Sequence, residues 1–519
     1  MSKPIRSALI SVFYKDKLDL IVQQLHKNGV TIYSTGGTLQ YIESLGLPVE
    51  AVEALTGFPE ILGGRVKTLH PKIFGGILAR RDNANDMTQL HQHAIPEIDL
   101  VIVDLYPFEE TVKAGKGEAD IIEKIDIGGI ALIRATAKNF NDTLIVSSRE
   151  QYDDVLHLLQ TKNCATDLAD RKLFAAKAFM VTSHYDTLIF NYFNNPTTAH
   201  PNEEGEMRPS TIPVFKQSIL QAKTLRYGEN PHQQGTFYGN LEEVFEILNG
   251  KELSYNNLVD VEAAMNLVAE FTAPTFAIIK HTNSCGLATR DSIGVAYSAA
   301  LACDPTSAFG GVLCANRTID IATAREINAL FFEVLIAPDY EPAALELLMQ
   351  KKNRILLKTK RQEPKTKLFK SLLNGVLEQD IDSKTERKED FKIATTKSPT
   401  SAEMSDLEFA IIAVKHLKSN GIAIVKNKQL IGMGCGQTSR VDSLESALKK
   451  AVAFGFDTIG AVMASEAFFP FPDCVDIAHK AGITGIAQPG GSIKDKDSID
   501  AANANGQAMV LTGFRHFKH

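Results

Sequence analysis

Phe276-Ala277-Ile278-Ile279, ending abruptly in Lys280-His281-Thr282-Asn283-Ser284-Cys285-Gly286, reads as a buried strand that hands two ionisable groups to its carboxyl end. Open α/β sheets place their ligands at such ends. Successive side chains on a strand point to opposite faces, so Lys280 and His281 can serve one site only if the strand has already ended there. A histidine accepts a proton near neutral pH, and a neighbouring ammonium holds developing negative charge. The plain alternative is a solvated lysine beside a helix-capping polar loop.

Outward from this strand, the first part of the chain alternates in texture. Ala8 to Val12, Val30 to Tyr33, Leu100 to Val103 and Leu144 to Val146 read as strands. Leu18 to Asn28, Thr38 to Leu45 and most of Ile121 to Asn139 read as helices. That alternation predicts a parallel sheet with helices on both faces. Pro196, Pro201, Glu203, Glu204 and Pro209 then crowd together as in an exposed connector. The expected division is a first domain over 1–195, a linker over 196–212 and a second region over 213–519. Charges dominate near 351–401, which predicts a surface insertion there.

The 519 residues exceed one ordinary core and predict about two to four domains. Hydrophobic residues make up 44% and charged residues 23%, the balance of a soluble globular protein. The formal net charge of -7 offers no basic field for nucleic acid or an anionic membrane. An anionic substrate must therefore be gripped by local lysines, arginines and backbone amides. The six cysteines lie far apart with no CxxC pair, which argues for reduced thiols rather than disulfides or a zinc site. No signal-peptide core opens the chain and no uncharged apolar run reaches ~18 residues, so a cytoplasmic protein is expected.

Several strings carry chemistry. Ser34-Thr35-Gly36-Gly37-Thr38, between a strand and a helix, is a phosphate cradle or a plain connecting turn. In Gly63-Gly64-Arg65-Val66-Lys67-Thr68-Leu69-His70-Pro71, Arg65 and Lys67 alternate and can converge on one anion, unless the stretch is a charged surface hairpin. Asp104-Leu105-Tyr106 follows an apolar strand. Asp126 precedes Gly128-Gly129, where an N-cap role is the simple reading, and Arg134 and Lys138 share a helix face. Further on, Leu225-Arg226-Tyr227-Gly228 and Ser254-Tyr255-Asn256-Asn257 are dense in hydrogen-bonding groups. Phe309-Gly310-Gly311 offers an aromatic wall, and Gly432-Met433-Gly434-Cys435-Gly436 leads to Arg440. Phe468-Phe469-Pro470-Phe471-Pro472-Asp473 suits neither a helix nor a central strand. The last residues, Phe514-Arg515-His516-Phe517-Lys518-His519, alternate aromatic and basic side chains.

Together these strings resemble one family closely, the bifunctional purine-biosynthesis enzymes that combine AICAR transformylase with IMP cyclohydrolase. The resemblance covers nearly the whole chain and is most specific at 63–71, 123–139, 225–233, 280–281, 432–442, 465–473 and 512–519. It implies an α/β fold: a methylglyoxal-synthase-like, Rossmann-type first domain, then a transformylase region of two cytidine-deaminase-like subdomains, with sites at a homodimer interface. It implies formyl transfer from 10-formyltetrahydrofolate, as co-substrate, to AICAR, then dehydrative closure of formyl-AICAR to IMP. No catalytic metal, nucleic acid or membrane is implied.

For formyl transfer the resemblance points to His281 as base and Lys280 as oxyanion stabiliser or proton donor. Arg226, Tyr227 and Arg515 would hold the nucleotide, and Asn420 and Asp473 would make polar contacts near the formyl donor. Asn257, Phe309, Gly310, Arg440, Phe468, Phe517 and His519 complete the implied contacts. For ring closure it points to Lys67, Tyr106, Asp126 and Lys138, with the phosphate on Ser11, Lys15, Ser34, Gly36, Gly37, Thr38, Arg65 and Thr68. The chain departs from the family at Phe13-Tyr14-Lys15-Asp16-Lys17, where members commonly read Ser/Tyr-Asp-Lys-Thr-Gly, and at Cys474, where asparagine is frequent. Three other readings compete. A zinc deaminase would need the missing CxxC, a binding module would not need the acid–base groups, and the altered first loop allows a chain with the transformylase alone.

Overall fold

The computed structural model describes residues 2–195, 212–360 and 365–519, so most of the expected linker lies outside the described residues. Two compact units are present, Met1–Leu220 and Gln221–His519. Residues 213–220, expected with the second region, belong to the first. His184 Nδ1 stands 2.8 Å from Ser218 Oγ, and the Lys216 ammonium lies 5.0 Å from the Phe190 ring centre.

The first unit is built on an all-parallel sheet in the order Glu50–Ala51, Thr31–Ser34, Ser7–Ser11, Leu100–Val103, Leu144–Val146. Its inner strands carry continuous apolar runs because helices cover both faces. Ala8, Leu9, Ile10, Leu100, Val101 and Ile102 are fully buried. Helix Leu18–Lys27 turns Leu18, Ile21, Val22 and Leu25 inward, the i, i+3, i+4, i+7 stripe of a covering helix. Leu168–Phe193 opens with a capping box in which Asp167 and Asp170 satisfy each other's backbone amides. The helical run expected over 121–139 is interrupted. Glu118–Ile122 and Gly128–Lys138 are separate helices, and Asp126 sits in the break.

The second unit holds two six-stranded sheets of one design. The first runs Phe245–Asn249, Ile355–Thr359, Val334–Ala337, Val312–Ala315, Thr275–Lys280, Asn283–Thr289. The second runs Lys392–Ile393, Ala508–Leu511, Gly485–Gln488, Val462–Ser465, Ile422–Val425, Leu430–Gly434. Each has a hairpin at one edge, three parallel strands, and an antiparallel strand at the other edge. The hairpin edges face each other, with the Thr289 amide donating to the Lys428 carbonyl at 3.0 Å. Helices Tyr255–Ala269 and Ser401–Lys415 occupy equivalent places ahead of the two hairpins and share one core.

Two expectations change here. Thr275–Lys280 is a buried strand, but it runs antiparallel to both neighbours. Its carboxyl end therefore lies beside the amino ends of Val312–Ala315 and Val334–Ala337, and Asn283–Thr289 returns as a strand rather than a loop. Within 351–401, Ile355, Leu356 and Leu357 are fully buried in an inner strand, so that part is core. The hairpin Lys367–Leu372 and Gly375–Asp380 is exposed along its length. Charges averaged over 351–401 mask the short apolar run. Leu356→Ala is expected to destabilise the second unit by about 2–5 kcal/mol, and Lys370→Ala by less than about 0.5 kcal/mol. Equal urea midpoints for the two variants would return 355–359 to the surface.

Candidate active sites

Strand order in the first sheet reverses at Ser7–Ser11, and the crevice beyond its carboxyl end is where such sheets take ligands. Ser11, Ser34, Gly36, Gly37, Thr38 and Tyr106 all lie at this end. The Ser34 hydroxyl donates to the Ile10 carbonyl at 2.7 Å, and Thr38 Oγ1 donates to the Val12 carbonyl at 2.9 Å. Those hydroxyls tie neighbouring elements to the central strand. Helix Gly36–Ser44 starts beside them with no side-chain cap, leaving its first amides to receive an anion. The unusual loop after Ser11 is anchored: the amides of Phe13 and Tyr14 both donate to buried Asp104, the latter at 2.9 Å. Burial pushes the Asp104 carboxyl up, and the two amides and Lys15 oppose it. Lys15 itself reaches the Val12 and Phe13 carbonyls at 2.7 and 2.9 Å.

Lys67 bends back over glycine. A Cβ on Gly64 would stand 2.7 Å from Lys67 Cε, and one on Gly36 3.1 Å from its Nζ, so both glycines leave room for this side chain. Glu60 Oε2 is 3.3 Å from the ammonium. Thr68 is buried against the start of helix Gly128–Lys138, its Oγ1 3.4 Å from where a Gly128 Cβ would be. Arg65, in contrast, is ion-paired with Glu123. Asp126 is buried and accepts the Gly129 amide at 2.6 Å, so the capping role is present. Burial raises its carboxyl above the ordinary carboxylate range, while amides of Gly129, Tyr106 and Ile130 pull the other way. A carboxylate shifted upward is the better proton acceptor at neutral pH. The Tyr106 ring meets Phe13 edge-on at 5.8 Å, and Lys124 lies 5.8 Å from both rings. Lys138 closes the helix that begins at Gly128, about 15 Å of helical rise from its start.

In the second unit, Arg226, Tyr227 and Asn257 line a cleft of about 350 Å³ with Lys251, Glu252, Ser254 and Glu333. Lys251 and Glu333 pair at 2.7 Å. The Glu333 amide donates to the Gly311 carbonyl at 3.1 Å, which joins the cleft to Phe309-Gly310. Lys280 Nζ donates to the Phe309 carbonyl at 2.7 Å, and a Cβ on Gly310 would lie 3.4 Å from that nitrogen. His281 follows on the hairpin turn, with φ of 52° and Thr282 at 64°. The Thr282 amide donates to Asp260 Oδ1 at 2.7 Å, one helical turn beyond Asn257. Asn283 Nδ2 donates to the His281 carbonyl at 2.9 Å, and Asn283 Oδ1 accepts the Lys418 amide at 3.0 Å.

That last bond leads to the second sheet's residues. Arg440 is half-buried and spends its guanidinium on Glu466 at 2.9 Å, Ser465 at 3.1 Å and the Asn420 side-chain oxygen at 3.0 Å. It orients Asn420 rather than standing open to an anion. Phe468 is half-buried beyond strand Val462–Ser465, and Asp473 begins helix Asp473–Lys480 with its Oδ1 on the Cys474 amide. In the C-terminal tail, Ser419 and Lys518 exchange two bonds, of 2.9 and 3.1 Å. Arg515 stacks 4.2 Å over the Phe517 ring, and Phe517 meets His519 at 5.5 Å. All three are exposed.

Sequence reasoning missed the groups that hold these residues in place: Asp104, Asp260, Glu466, and His516 with Asp382 and Glu386. Isolated acids in loops and helices carry no spacing signal. His516 is the buried member of the alternating tail. Its Nδ1 is 2.6 Å from Asp382 and its Nε2 3.0 Å from Glu386. Burial alone would lower its pKa, but the two carboxylates raise it to about 9. Among the described residues no trio of His, Cys, Asp or Glu is placed to hold a metal ion, and no helix is long and apolar enough to cross a membrane.

These features define an α/β enzyme with two separate groups of acid–base and anion-binding residues, one in each unit. The AICARFT/IMPCHase bienzyme family matches residues 136–450, and the MGS-like domain family matches residues 18–131. Over 518 residues the chain is 57% identical to the bifunctional purine biosynthesis protein PurH of Bacteroides thetaiotaomicron, covering 100% of this chain and 99% of that one. It is 47% identical over 524 residues to PurH of Persephonella marina, covering 99% and 100%. To PurH of Aquifex aeolicus it is 46% identical over 518 residues, again covering 99% and 100%. The chain belongs to the AICARFT/IMPCHase bienzyme family.

The tail makes a pH prediction. The folded-state pKa of His516, about 9, lies above its ordinary 6.5, so its stabilising charge is fully present below 6.5 and is lost as pH rises towards 9. The thermal midpoint of the second unit should fall across that window, and His516→Gln should flatten the fall. An unchanged slope in the variant would remove His516 as the anchor of the tail.

Proposed function

We propose that the second unit transfers a formyl group from 10-formyltetrahydrofolate to AICAR and that the first closes formyl-AICAR to IMP, giving two consecutive steps of purine synthesis on one chain. The observation that carries this reading is the His281 turn. A histidine follows directly after Lys280, which reaches the Phe309 carbonyl, on a hairpin turn held by Asp260 of the helix that also brings Asn257 to the cleft.

For transfer, the weakly nucleophilic AICAR amine attacks the formyl carbon. His281 takes the amine proton and Lys280 supports the oxyanion. When the carbon–nitrogen bond to the folate breaks, the departing nitrogen takes a proton from Lys280, which is replaced by the one His281 accepted from the amine. Arg226, Tyr227 and Asn257 orient the nucleotide, with Arg515 from the tail. Asn420, held by Arg440, and Asp473 contact the formyl donor. For closure, the carboxamide nitrogen attacks the formyl carbon, Asp126 accepts its proton, Lys67 steadies the oxyanion, and Tyr106 passes a proton to the hydroxyl that leaves as water. The phosphate rests on the amides of Gly36 and Gly37. Ring closure is assigned to Lys67, Tyr106, Asp126 and Lys138. The working form is proposed to be a homodimer in the cytoplasm, where the six unpaired cysteines stay reduced.

His281→Ala is expected to abolish tetrahydrofolate formation while supplied formyl-AICAR still closes to IMP. Lys67→Ala should do the reverse, with formyl-AICAR accumulating. Asp126→Asn keeps an acceptor for the Gly129 amide and should still lose closure. In the wild type, the acid limb of the closure rate should lie above the 3.8 of an ordinary aspartate, because burial raises Asp126. Wild-type transfer by His281→Ala, or wild-type closure by Asp126→Asn, would remove that residue from its role.

A further inference from the structure

The two sheets of the second unit repeat each other at their hairpin turns. In the first, helix Tyr255–Ala269 precedes strand Thr275–Lys280, and Asp260 stands at its sixth position. In the second, helix Ser401–Lys415 precedes strand Ile422–Val425, and Asp406 stands at its sixth position. Both turns carry two consecutive residues with positive φ, His281 and Thr282 at 52° and 64°, Asn427 and Lys428 at 54° and 52°. Both are gripped by the helix aspartate. Asp260 accepts the Thr282 amide at 2.7 Å, while Asp406 accepts the amides of Asn427 and Lys428, each at 2.7 Å. Both have a lysine just before the turn, reaching the carbonyl three residues ahead of the next strand. Lys280 takes Phe309 at 2.7 Å, and Lys426 takes Ile459 at 2.8 Å.

The copies differ in what occupies the turn. Asparagine is among the few side chains at ease with positive φ, and it fills the first position of the second turn. In the first turn the position belongs to His281, followed by β-branched Thr282, for which positive φ is an outlier. A turn of poor intrinsic preference thus holds the reactive imidazole, and the grip from outside the turn is the feature both copies share.

We propose that Asp260 is a positioning residue for formyl transfer. By accepting the Thr282 amide it holds the turn in the conformation that aims His281 at the substrate oriented by Asn257, one helical turn away. Asp406 performs the same hold on a turn without chemistry, so it serves as an internal control. This inference rests on the assignment of His281 as the base.

The test measures formyl transfer with AICAR and 10-formyltetrahydrofolate in the full-length protein. Asp260→Ala should lower kcat about 100-fold, the size of effect that misplacing a catalytic group by ~1 Å produces. KM for both substrates should stay near wild type, and closure of supplied formyl-AICAR should be unaffected. Asp260→Asn, which keeps an acceptor oxygen, should recover most of the rate. Asp406→Ala should transfer at the wild-type rate. Should Asp260→Ala fail to fold, Asp260→Glu keeps the charge and the helix but displaces the carboxylate, and should lower kcat about 10-fold by a smaller misplacement of the same kind. Wild-type kcat in Asp260→Ala or Asp260→Glu would overturn the proposal, as would equal losses in Asp260→Ala and Asp406→Ala. His281→Ala in the same assay separates the two claims. Wild-type transfer there would defeat the base assignment itself, whereas loss there with no loss in Asp260→Ala would defeat the positioning role alone.

Discussion

A carboxylate that catches the backbone amides of a loop leaving a buried sheet is the interaction on which the rest of this structure depends. Strands covered on both faces must end somewhere, and the amides just past their ends have lost their sheet partners. Asp104 answers this for Phe13 and Tyr14, Asp260 for Thr282, and Asp406 for Asn427 and Lys428, while Asp126 takes a helix amide at Gly129 and Glu466 the Gly421 amide just ahead of a strand. A charged acceptor makes a stronger bond than a neutral one and leaves a costly unpaired charge if its partner moves. Except at Gly129, the group that fixes the amide lies far away in the sequence. His281, proposed to act as a base, sits on one of those loops. Asp126 takes both parts, capping a helix and, raised by burial, standing ready to accept a proton.

The duplicated architecture of the second unit builds two turns of one design that carry different side chains. The lysine, the helix aspartate and the backbone conformation are common to both copies, so they belong to the way the hairpin is built. The turns differ in histidine against asparagine at the first position and threonine against lysine at the second. The second copy contributes differently, through Arg440 and buried Glu466, which set the Asn420 side chain, and through the tail pinned at His516. A bond from Lys418 to Asn283 brings that half to the His281 turn of the other.

Much of this was legible in the chain. Runs such as Leu100-Val101-Ile102-Val103 lack any two-residue alternation, and that fixes them as strands buried on both faces. The Lys280-His281 pair and the glycines at 36–37 and 63–64 stood out because few side chains or conformations can replace them. The direction of Thr275–Lys280 was not legible, since a strand's own residues do not state how its neighbours run. Nor were the fates of Arg65 and Arg440. Each looks like an open anion receptor in sequence, and each is met by a glutamate, Glu123 or Glu466, that only the fold brings near. Ile355-Leu356-Leu357 was hidden by the charges around it, because three apolar residues suffice for an inner strand but not for a composition signal.

Two groups of residues, one in each unit, are proposed to act in sequence on the same substrate, despite the altered loop at Phe13 to Lys17. The most direct measurement mixes the purified chain with AICAR and 10-formyltetrahydrofolate and follows tetrahydrofolate and IMP separately in time. The account predicts both products, with IMP lagging behind tetrahydrofolate and then keeping pace. Tetrahydrofolate accumulating while IMP forms no faster than formyl-AICAR closes without enzyme would contradict it.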